Sequence, residues 1–400
     1  MLDPQTYRTH EQIAKSLTPS WRISQVHNLD HFERTGFPVR LSTIRELGQI
    51  IDTMQENRFA PYMQELRGLS SSEFKLILES CKDAVVFQLT YLPHRPPVLP
   101  ISTLLSMFAL YNKIQGAKPG FRSVLEIGPG CGYLSFFLRH HRPLANYSQI
   151  EACESFYILQ NWVNLFSFGH RHDERVLASL AANDVAYFAK AHSHLEFSPT
   201  LRTQSISPLC THYPWWRFRE IIDREITFDV VTSNANLLEF SAQALDDYLE
   251  VIRFCLKTNG VFVVQCTGLD VNGTEEQLLE KLHRAGFAPL IFAIQSTPIK
   301  LNTAANHLRS LDSLRTGEHD SISFVTNNAA FVKRGHQLFQ KYCDHKNFQR
   351  NFVASEQIVK SMYFSRPPER QMYEIGDFIE ATEAALSNQS MDRQYLSDEA

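Results

Sequence analysis

The sequence predicts a doubly wound, mostly parallel α/β sheet with helices on both faces, placed between a helical N-terminal region and a helical C-terminal extension. Three observations support this fold class. From Arg122 onward, short apolar runs alternate with helical patterns. Before residue 119 and after residue 334, apolar residues recur at helical spacings of three and four. A glycine-rich turn directly follows the first apolar run, as at the first strand of such sheets.

The N-terminal region, residues 1–118, is predicted to be helical. The run "SSSEFKLILESCKDAVVFQL" carries its own start signal, because Ser70 and Glu73 have the spacing of a capping box. The four prolines of "YLPHRPPVLP" interrupt the helical pattern, and "ISTLLSMFALYNKIQ" resumes it. We expect this region to form a lid over a site or to bury a homodimer contact.

The middle region, residues 119–334, contains the predicted sheet. Four strands are expected at Ser123–Ile127, Tyr147–Ala152, Phe228–Ser233 and Gly260–Gln265. The runs "APLIFAI" and "SISFVTNNAAFVKR" supply the final strands. Residues 335–400 return to helical patterns and form the C-terminal extension.

Residues 168–227 are about twice as long as a helix, a strand and a second helix require, so we interpret them as an insertion that carries substrate specificity. The pairs His170/His172 and His192/His194 could ligate a divalent ion, but they have no partner at a fixed spacing, and we expect no metal site. Trp215 and Trp216 either stack on a sugar or aromatic ring, or anchor the insertion to the core.

Composition narrows the classes of partner. The formal net charge of −4 and the pI near 6.5 provide no basic field, so we expect no nucleic-acid partner. The seven cysteines include no CxxC pair, which favours reduced thiols and a cytoplasmic location. No stretch approaches the ~18 uninterrupted apolar residues of a membrane span. We therefore expect a soluble protein without membrane insertion.

The stretch "SVLEIGPGCGYLSFF" places three glycines behind the first strand, where backbone N–H groups and a helix N-terminus can closely approach a nucleotide-like ligand. Its spacing is E-x-G-x-G-x-G. A dinucleotide fingerprint requires G-x-G-x-x-G, and a phosphate-binding P-loop requires a following Gly-Lys-Ser/Thr; neither is present.

The residues VLEIGPGCG resemble motif I of the class I S-adenosylmethionine-dependent methyltransferases. The resemblance implies a Rossmann-like sheet of seven strands with S-adenosylmethionine as cofactor. It also implies that Glu126, Gly128, Gly130 and Gly132 contact the cofactor, with the acid helping to hold its amino group.

Two further features fit a nucleoside site. Glu151 follows the second strand about 20 residues beyond Gly128, where a doubly wound fold binds ribose hydroxyls. Glu154 is the alternative acid. The segment Phe228–Gln265 resembles the fourth-strand region of the same methyltransferases, and it places Ser233, Asn234 and Asn236 at the carboxyl end of a strand; we assign Ser233 and Asn234 to the cofactor.

A narrower resemblance is to the sugar O-methyltransferases of bacterial polysaccharide and glycoside pathways, to which Asn234 and Glu239 correspond. It implies methyl transfer to a hydroxyl of a small molecule, a sugar or a glycosylated intermediate. The alternatives are an acceptor nitrogen or protein side chain, and a non-catalytic binding or scaffold protein with the same fold.

The predicted catalytic residues are His212 and Glu239. His212 lies in the aromatic run "HYPWWRF", which could form a substrate wall, and an imidazole can remove the proton of an acceptor hydroxyl. The alternative is a surface or packed loop histidine. Glu239 lies just past the asparagine loop and is either a base or a first-turn acid that interacts with a helix dipole.

Overall fold

The computed structural model describes residues 2–17, 29–178, 208–268, 273–293, 299–300, 321–322, 325–348, 352–353 and 369–397. The helices of the N-terminal region are α1 (Pro4–Leu17), α2 (Leu29–Arg34), α3 (Leu47–Thr53), α4 (Phe59–Leu66), α5 (Ser71–Tyr91) and α6 (Ile101–Ala117). The predicted capping box is present at the start of α5, because the Glu73 backbone N–H donates to Ser70 Oγ and the Glu73 carboxylate accepts from the Ser70 N–H. The helical prediction for this region is confirmed at these elements.

The strands are β1 (Ser123–Ile127), β2 (Asn146–Glu151), β3 (His172–Glu174), β4 (Cys210–Pro214), β5 (Phe228–Ser233), β6 (Leu256–Val264), β7 (Phe287–Ala293), β8 (Ile299–Lys300), β9 (Ser321–Ile322), β10 (Asn328–Lys333) and β11 (Phe352–Val353). Nine of them form one sheet in the order β11-β7-β10-β6-β5-β1-β2-β4-β3, and β8 pairs with β9 separately. In this order, every strand pair between β6 and β3 is parallel. The pairs β6-β10, β10-β7 and β7-β11 are antiparallel.

The later helices are α7 (Leu134–Leu138), α8 (Glu154–Phe168), α9 (Glu220–Asp223), α10 (Ala242–Cys255), α11 (Glu275–Arg284), α12 (Phe339–Tyr342) and α13 (Ile375–Ser397). Short 3₁₀ helices occupy Ile44–Glu46, Gly169–Arg171, Trp215–Arg217 and His345–Asn347. All five residues of β1 are buried, as expected for a central strand that is covered on both faces.

The order of the strands creates a crevice beside β1. The chain runs from β1 outward through β2 to β3 and β4, then returns to the other side of β1 as β5. In a doubly wound sheet such a reversal leaves a crevice outside the carboxyl ends of the strands, where ligands bind. The predicted fold class is therefore confirmed, and the crevice is where the glycine turn and the asparagine loop begin.

The structure adds three details to the predicted organisation. The sheet has nine strands in the described residues, because the short edge strands β3 and β11 extend the expected seven. The described parts of the predicted insertion 168–227 contain β3 and β4, so they belong to the sheet; residues 179–207 lie outside the described residues. The C-terminal extension contributes β11 as well as helices.

Ion pairs tie the N-terminal region to the sheet domain. Glu154, the first residue of α8, is fully buried and accepts from Arg8 Nη2 at 2.8 Å and Arg40 Nη1 at 2.6 Å. Deeper in the core, Lys113 Nζ lies 3.1 Å from Glu65 Oε1, and both side chains are almost completely buried. Lys113 also donates to Gln265 Oε1 at 3.0 Å, at the end of β6.

None of the helices in the described segments combines the length and apolar character that crossing a membrane would require.

Candidate functional site

A cavity of about 300 Å³ occupies the crevice at the carboxyl ends of β1, β2 and β5. One side is formed by the sheet domain, with Gly128 and Gly130 after β1, Glu151 at the end of β2 and residues 234–236 after β5. The N-terminal region also lines the cavity, with Leu29, Phe32, Phe37, Val39 and Met54. The N-terminal region therefore supplies a wall of the cavity, which is consistent with the lid expected from the sequence.

The glycine turn has left-handed backbone torsion angles that side chains rarely adopt, with φ values of +66°, +59° and +73° at Gly128, Gly130 and Gly132. A Cβ atom at Gly128 would collide with the amide of Asn236, and one at Gly132 would lie 3.1 Å from Gln160 Cγ. A Cβ at Gly130 would meet no atom within 4 Å. The first and third glycines thus permit close packing, whereas Gly130 leaves open space at the cavity.

Glu151 presents a buried carboxylate at the cavity. Its Oε1 accepts from the backbone N–H groups of Ala152 at 2.7 Å and Cys153 at 2.8 Å, and its Oε2 accepts from Gln160 Nε2 at 2.8 Å. Burial raises the pKa of the Glu151 carboxyl to about 7, although these hydrogen bonds favour the ionised form. Glu154, the alternative acid, is instead paired with Arg8 and Arg40, so Glu151 is the one of the two acids that lines the cavity.

The loop after β5 is fastened to the glycine turn by Asn236. Its Nδ2 donates to the Ile127 carbonyl at 2.8 Å, and its Oδ1 accepts from Ser233 Oγ. Asn234 lines the cavity and is partly exposed, whereas Ser233 is fully buried and is not among the described lining residues. The cofactor contact of Asn234 therefore stays a prediction, and the Ser233 hydroxyl stabilises the loop through its hydrogen bond to Asn236.

Two other residues assigned to the cofactor are not among the described residues that line the cavity. Glu126 is buried beneath the turn, where its carboxylate accepts from the Tyr147 hydroxyl and from Gln149 Nε2 at 3.3 Å. Burial raises the pKa of Glu126 to about 7. Gly132 packs against α8, as described above. These two positions support the turn from behind, and a direct ligand contact by either stays a prediction.

The structure corrects the placement of His212. This residue lies in β4 instead of in a substrate-facing loop, and its ring is fully buried. The ring stacks on Tyr157 with centroids 3.8 Å apart and an interplanar angle of 9°. Burial lowers the pKa of His212 well below its usual value. A neutral ring enclosed in the sheet cannot reach an acceptor in the cavity, so this geometry removes the argument for His212 as the base.

Glu239, the second predicted base, does line the cavity and is partly exposed. Its position is set by the asparagine loop, because its backbone N–H donates to the Asn236 carbonyl at 3.0 Å. It remains the candidate base at this site.

Sequence reasoning missed a further acid near the glycine turn. Burial raises the pKa of the Cys131 thiol, and the carboxyl group of Glu56, just before α4, raises it further. Burial raises the pKa of Glu56 itself. A lone polar residue between two short helices gives no sequence signal for such a position.

The histidine and tryptophan pairs of residues 168–227 differ in their surroundings. Among the described residues, no group of three or more histidine, cysteine or acidic side chains could hold a metal ion. His172 is half-buried in β3, and burial of its ring lowers its pKa to about 4; His192 and His194 lie outside the described residues. Trp215 and Trp216 are both fully buried, so they anchor the chain to the core and do not stack on a ligand.

Neither the protein-family models nor the curated proteins include a match to this sequence. Solved structures give weak matches. They include the methyltransferase CcbJ from Streptomyces caelestis, with 14% identity and a TM-score of 0.30 over 57% of this chain and 88% of that one. The ribosomal protein L11 methylase from Lactobacillus delbrueckii subsp. bulgaricus has 10% identity and a TM-score of 0.29 over 57% and 78%. The plantazolicin methyltransferase BpumL in complex with SAH has 14% identity and a TM-score of 0.27 over 72% and 95%. Such values assign no activity or ligand to this chain.

Proposed function

We propose that the protein is an S-adenosylmethionine-dependent methyltransferase of the class I type. The observation that carries the proposal is the charge of the cavity. It joins a glycine turn to the carboxylates Glu151 and Glu239, and none of the described residues that line it is lysine, arginine or histidine. A nucleotide carries phosphate and needs donors or positive charge at such a turn. A nucleoside bearing a sulfonium and an ammonium group carries positive charge and suits acidic surroundings.

The remaining surface of the cavity suits an adenine ring. Phe37 and Phe156 pack against each other with ring centroids 5.0 Å apart, and Val39 and Ala152 add apolar surface. Aromatic and aliphatic side chains favour a flat, largely apolar ring system. Glu151, at the end of β2, is then the group that would accept hydrogen bonds from the ribose hydroxyls.

The proposed reaction is transfer of the methyl group to a hydroxyl of a small molecule, with a sugar or glycosylated intermediate as the acceptor class. Bound in the cavity, the cofactor would supply a methyl group activated by a positively charged sulfur. The protein's own task is to align the acceptor and exclude water, for which the wall from residues 29–54 is suited. Glu239 would take the hydroxyl proton, because it is the partly exposed carboxylate beside the asparagine loop.

Isothermal titration calorimetry with S-adenosylmethionine, S-adenosylhomocysteine and NAD⁺ tests the ligand. We expect one-to-one, micromolar binding of the two sulfur-containing nucleosides and no binding of NAD⁺. Tight NAD⁺ binding, or no binding of either nucleoside, would contradict the proposal. Product formation in a screen of sugar and nucleotide-sugar acceptors then separates an enzyme from a non-catalytic binding protein.

The raised pKa of Glu151 predicts pH-dependent binding of S-adenosylhomocysteine. Ribose hydroxyls donate hydrogen bonds to the ionised carboxylate. Because the pKa of Glu151 is about 7, most of the protein below pH 7 carries the protonated form and must release that proton before the ligand binds. We expect the Kd to rise about tenfold from pH 8 to pH 6. Calorimetry of Glu151→Gln should show weaker binding with little of this pH dependence. Glu126→Gln, which changes another buried acid with a pKa of about 7, should retain it.

A further inference from the structure

Gln160, on α8, connects three parts of the candidate site through one side chain. Its Nε2 donates to the Gly130 carbonyl at 2.7 Å and to Glu151 Oε2 at 2.8 Å. Its Oε1 lies 2.9 Å from His212 Nε2. The side chain is fully buried, so water does not compete for these bonds.

The chemistry of the partners fixes the orientation of this amide. A carbonyl oxygen and a carboxylate can only accept, so both N–H bonds of Gln160 are used on Gly130 and Glu151. The Gln160 oxygen then faces His212 and needs a donor there. His212 must therefore carry its proton on Nε2, and its buried, neutral ring leaves Nδ1 as a bare nitrogen.

His212 is itself held in place by its surroundings. The ring stacks on the ring of Tyr157. The Tyr157 hydroxyl lies 2.9 Å from the His212 carbonyl oxygen and 2.7 Å from Glu174 Oε1. A rotation of the imidazole would break the stack and the bond to Gln160 together. The chain of contacts from Tyr157 through His212 to Gln160 therefore has a single arrangement.

We propose that Gln160, oriented by His212, is a positioning residue that holds the Glu151 carboxylate toward the ribose of the bound nucleoside. The inference rests on the proposed function, because it requires a ribose-bearing ligand in the cavity. Backbone N–H groups hold one oxygen of Glu151 and Gln160 holds the other, so the carboxylate is fixed before the ligand arrives. Such preorganisation raises affinity for ribose hydroxyls and leaves the adenine contacts unchanged.

The test is the ribose preference, defined as the Kd of the 2′-deoxy or 3′-deoxy analogue of S-adenosylhomocysteine divided by the Kd of S-adenosylhomocysteine. In the wild-type protein we expect a ribose preference of about tenfold or more for at least one analogue, because one hydrogen bond to a charged group contributes a free energy in this range. Gln160→Met keeps the length and removes the donors, and it should lower the preference to about threefold or less.

Asn164→Leu is the matched control. Asn164 is also a fully buried amide of α8, one turn further on, but it bonds to Gln149 and Ser135 and is not among the described residues lining the cavity. A general loss of core stability would affect both variants, whereas the ribose preference should change only in Gln160→Met. His212→Phe keeps the ring stack, removes the donor to Gln160 and should lower the preference in the same direction.

Three results would overturn the inference alone: a wild-type protein that binds S-adenosylhomocysteine without ribose preference, a folded Gln160→Met with an unchanged preference, or equal losses in Asn164→Leu. If Gln160→Met does not fold, His212→Phe decides by the same measure. Absence of S-adenosylhomocysteine binding by the wild-type protein would instead overturn the proposed function, and this inference with it.

Discussion

Replacement of Gly130 by aspartate is expected to weaken S-adenosylhomocysteine binding by at least about 100-fold, or about 2.7 kcal/mol. The site of a Cβ at Gly130 is open and belongs to the cavity wall, so the new side chain would take space that the ligand needs. It would also bring a second carboxylate close to Glu151, whose Oε2 shares the Gln160 amide with the Gly130 carbonyl. Calorimetry on wild-type and variant protein measures the loss.

Gly120→Asp is the control for backbone strain. Gly120 also has a positive φ, +69°, and a Cβ there would meet no atom within 4 Å, but it lies in an exposed turn before β1. Aspartate tolerates such torsion angles better than most residues, so both variants should fold. Similar affinities for Gly130→Asp and wild-type protein would remove the glycine turn from the ligand site.

The Lys113→Met variant is expected to lose about 3–5 kcal/mol of unfolding free energy, because it leaves the buried Glu65 carboxylate without its cation. Glu65 also accepts from the Val325 N–H at 2.8 Å, so its position is constrained on both sides. Adding Glu65→Gln removes the unpaired charge and keeps an acceptor for that N–H. The double variant should therefore recover most of the loss, as measured by urea unfolding followed by circular dichroism.

Lys82→Met provides the comparison for a surface ion pair. Lys82 lies 3.0 Å from Glu79 on the same helix, and the Glu79 side chain is 40% exposed. Exposed pairs of this kind contribute only about 0.2–1 kcal/mol. A loss of this small size in Lys113→Met as well would show that the buried pair does not stabilise the junction between α4, α6 and β6.

The sheet could be predicted where local signals are strong. β1 and β5 have the expected bounds, because each is an apolar run that ends at a loop-forming residue, and α5 begins at its capping box. β4 was missed because Thr211 and His212 interrupt its apolar pattern, and its strand pairing joins residues distant in sequence. Local patterns do not encode which distant segment will cover a polar strand residue.

The same limit explains the outcome at the site. Gly128, Gly130, Glu151, Asn234 and Glu239, which the sequence assigns to a site, all line the cavity, because the ends of parallel strands converge at one edge of a sheet. The side chains that support these residues could not be predicted from the sequence, since their role depends on which groups surround them in the folded protein. In the sequence, Gln160 is one polar residue within a mostly apolar helical pattern. Its three contacts form only when α8 packs against the glycine turn.

Because residues within 29–54 line the cavity, the residues that form the sheet and the residues that form the cavity have different boundaries along the chain. A fragment starting at residue 119 would retain the glycine turn and Glu151 but would lack the five lining residues that the N-terminal region contributes. Under the proposed function, acceptor selectivity would change through substitutions in a segment that contributes no strand to the sheet, while the residues proposed to hold the nucleoside stay the same.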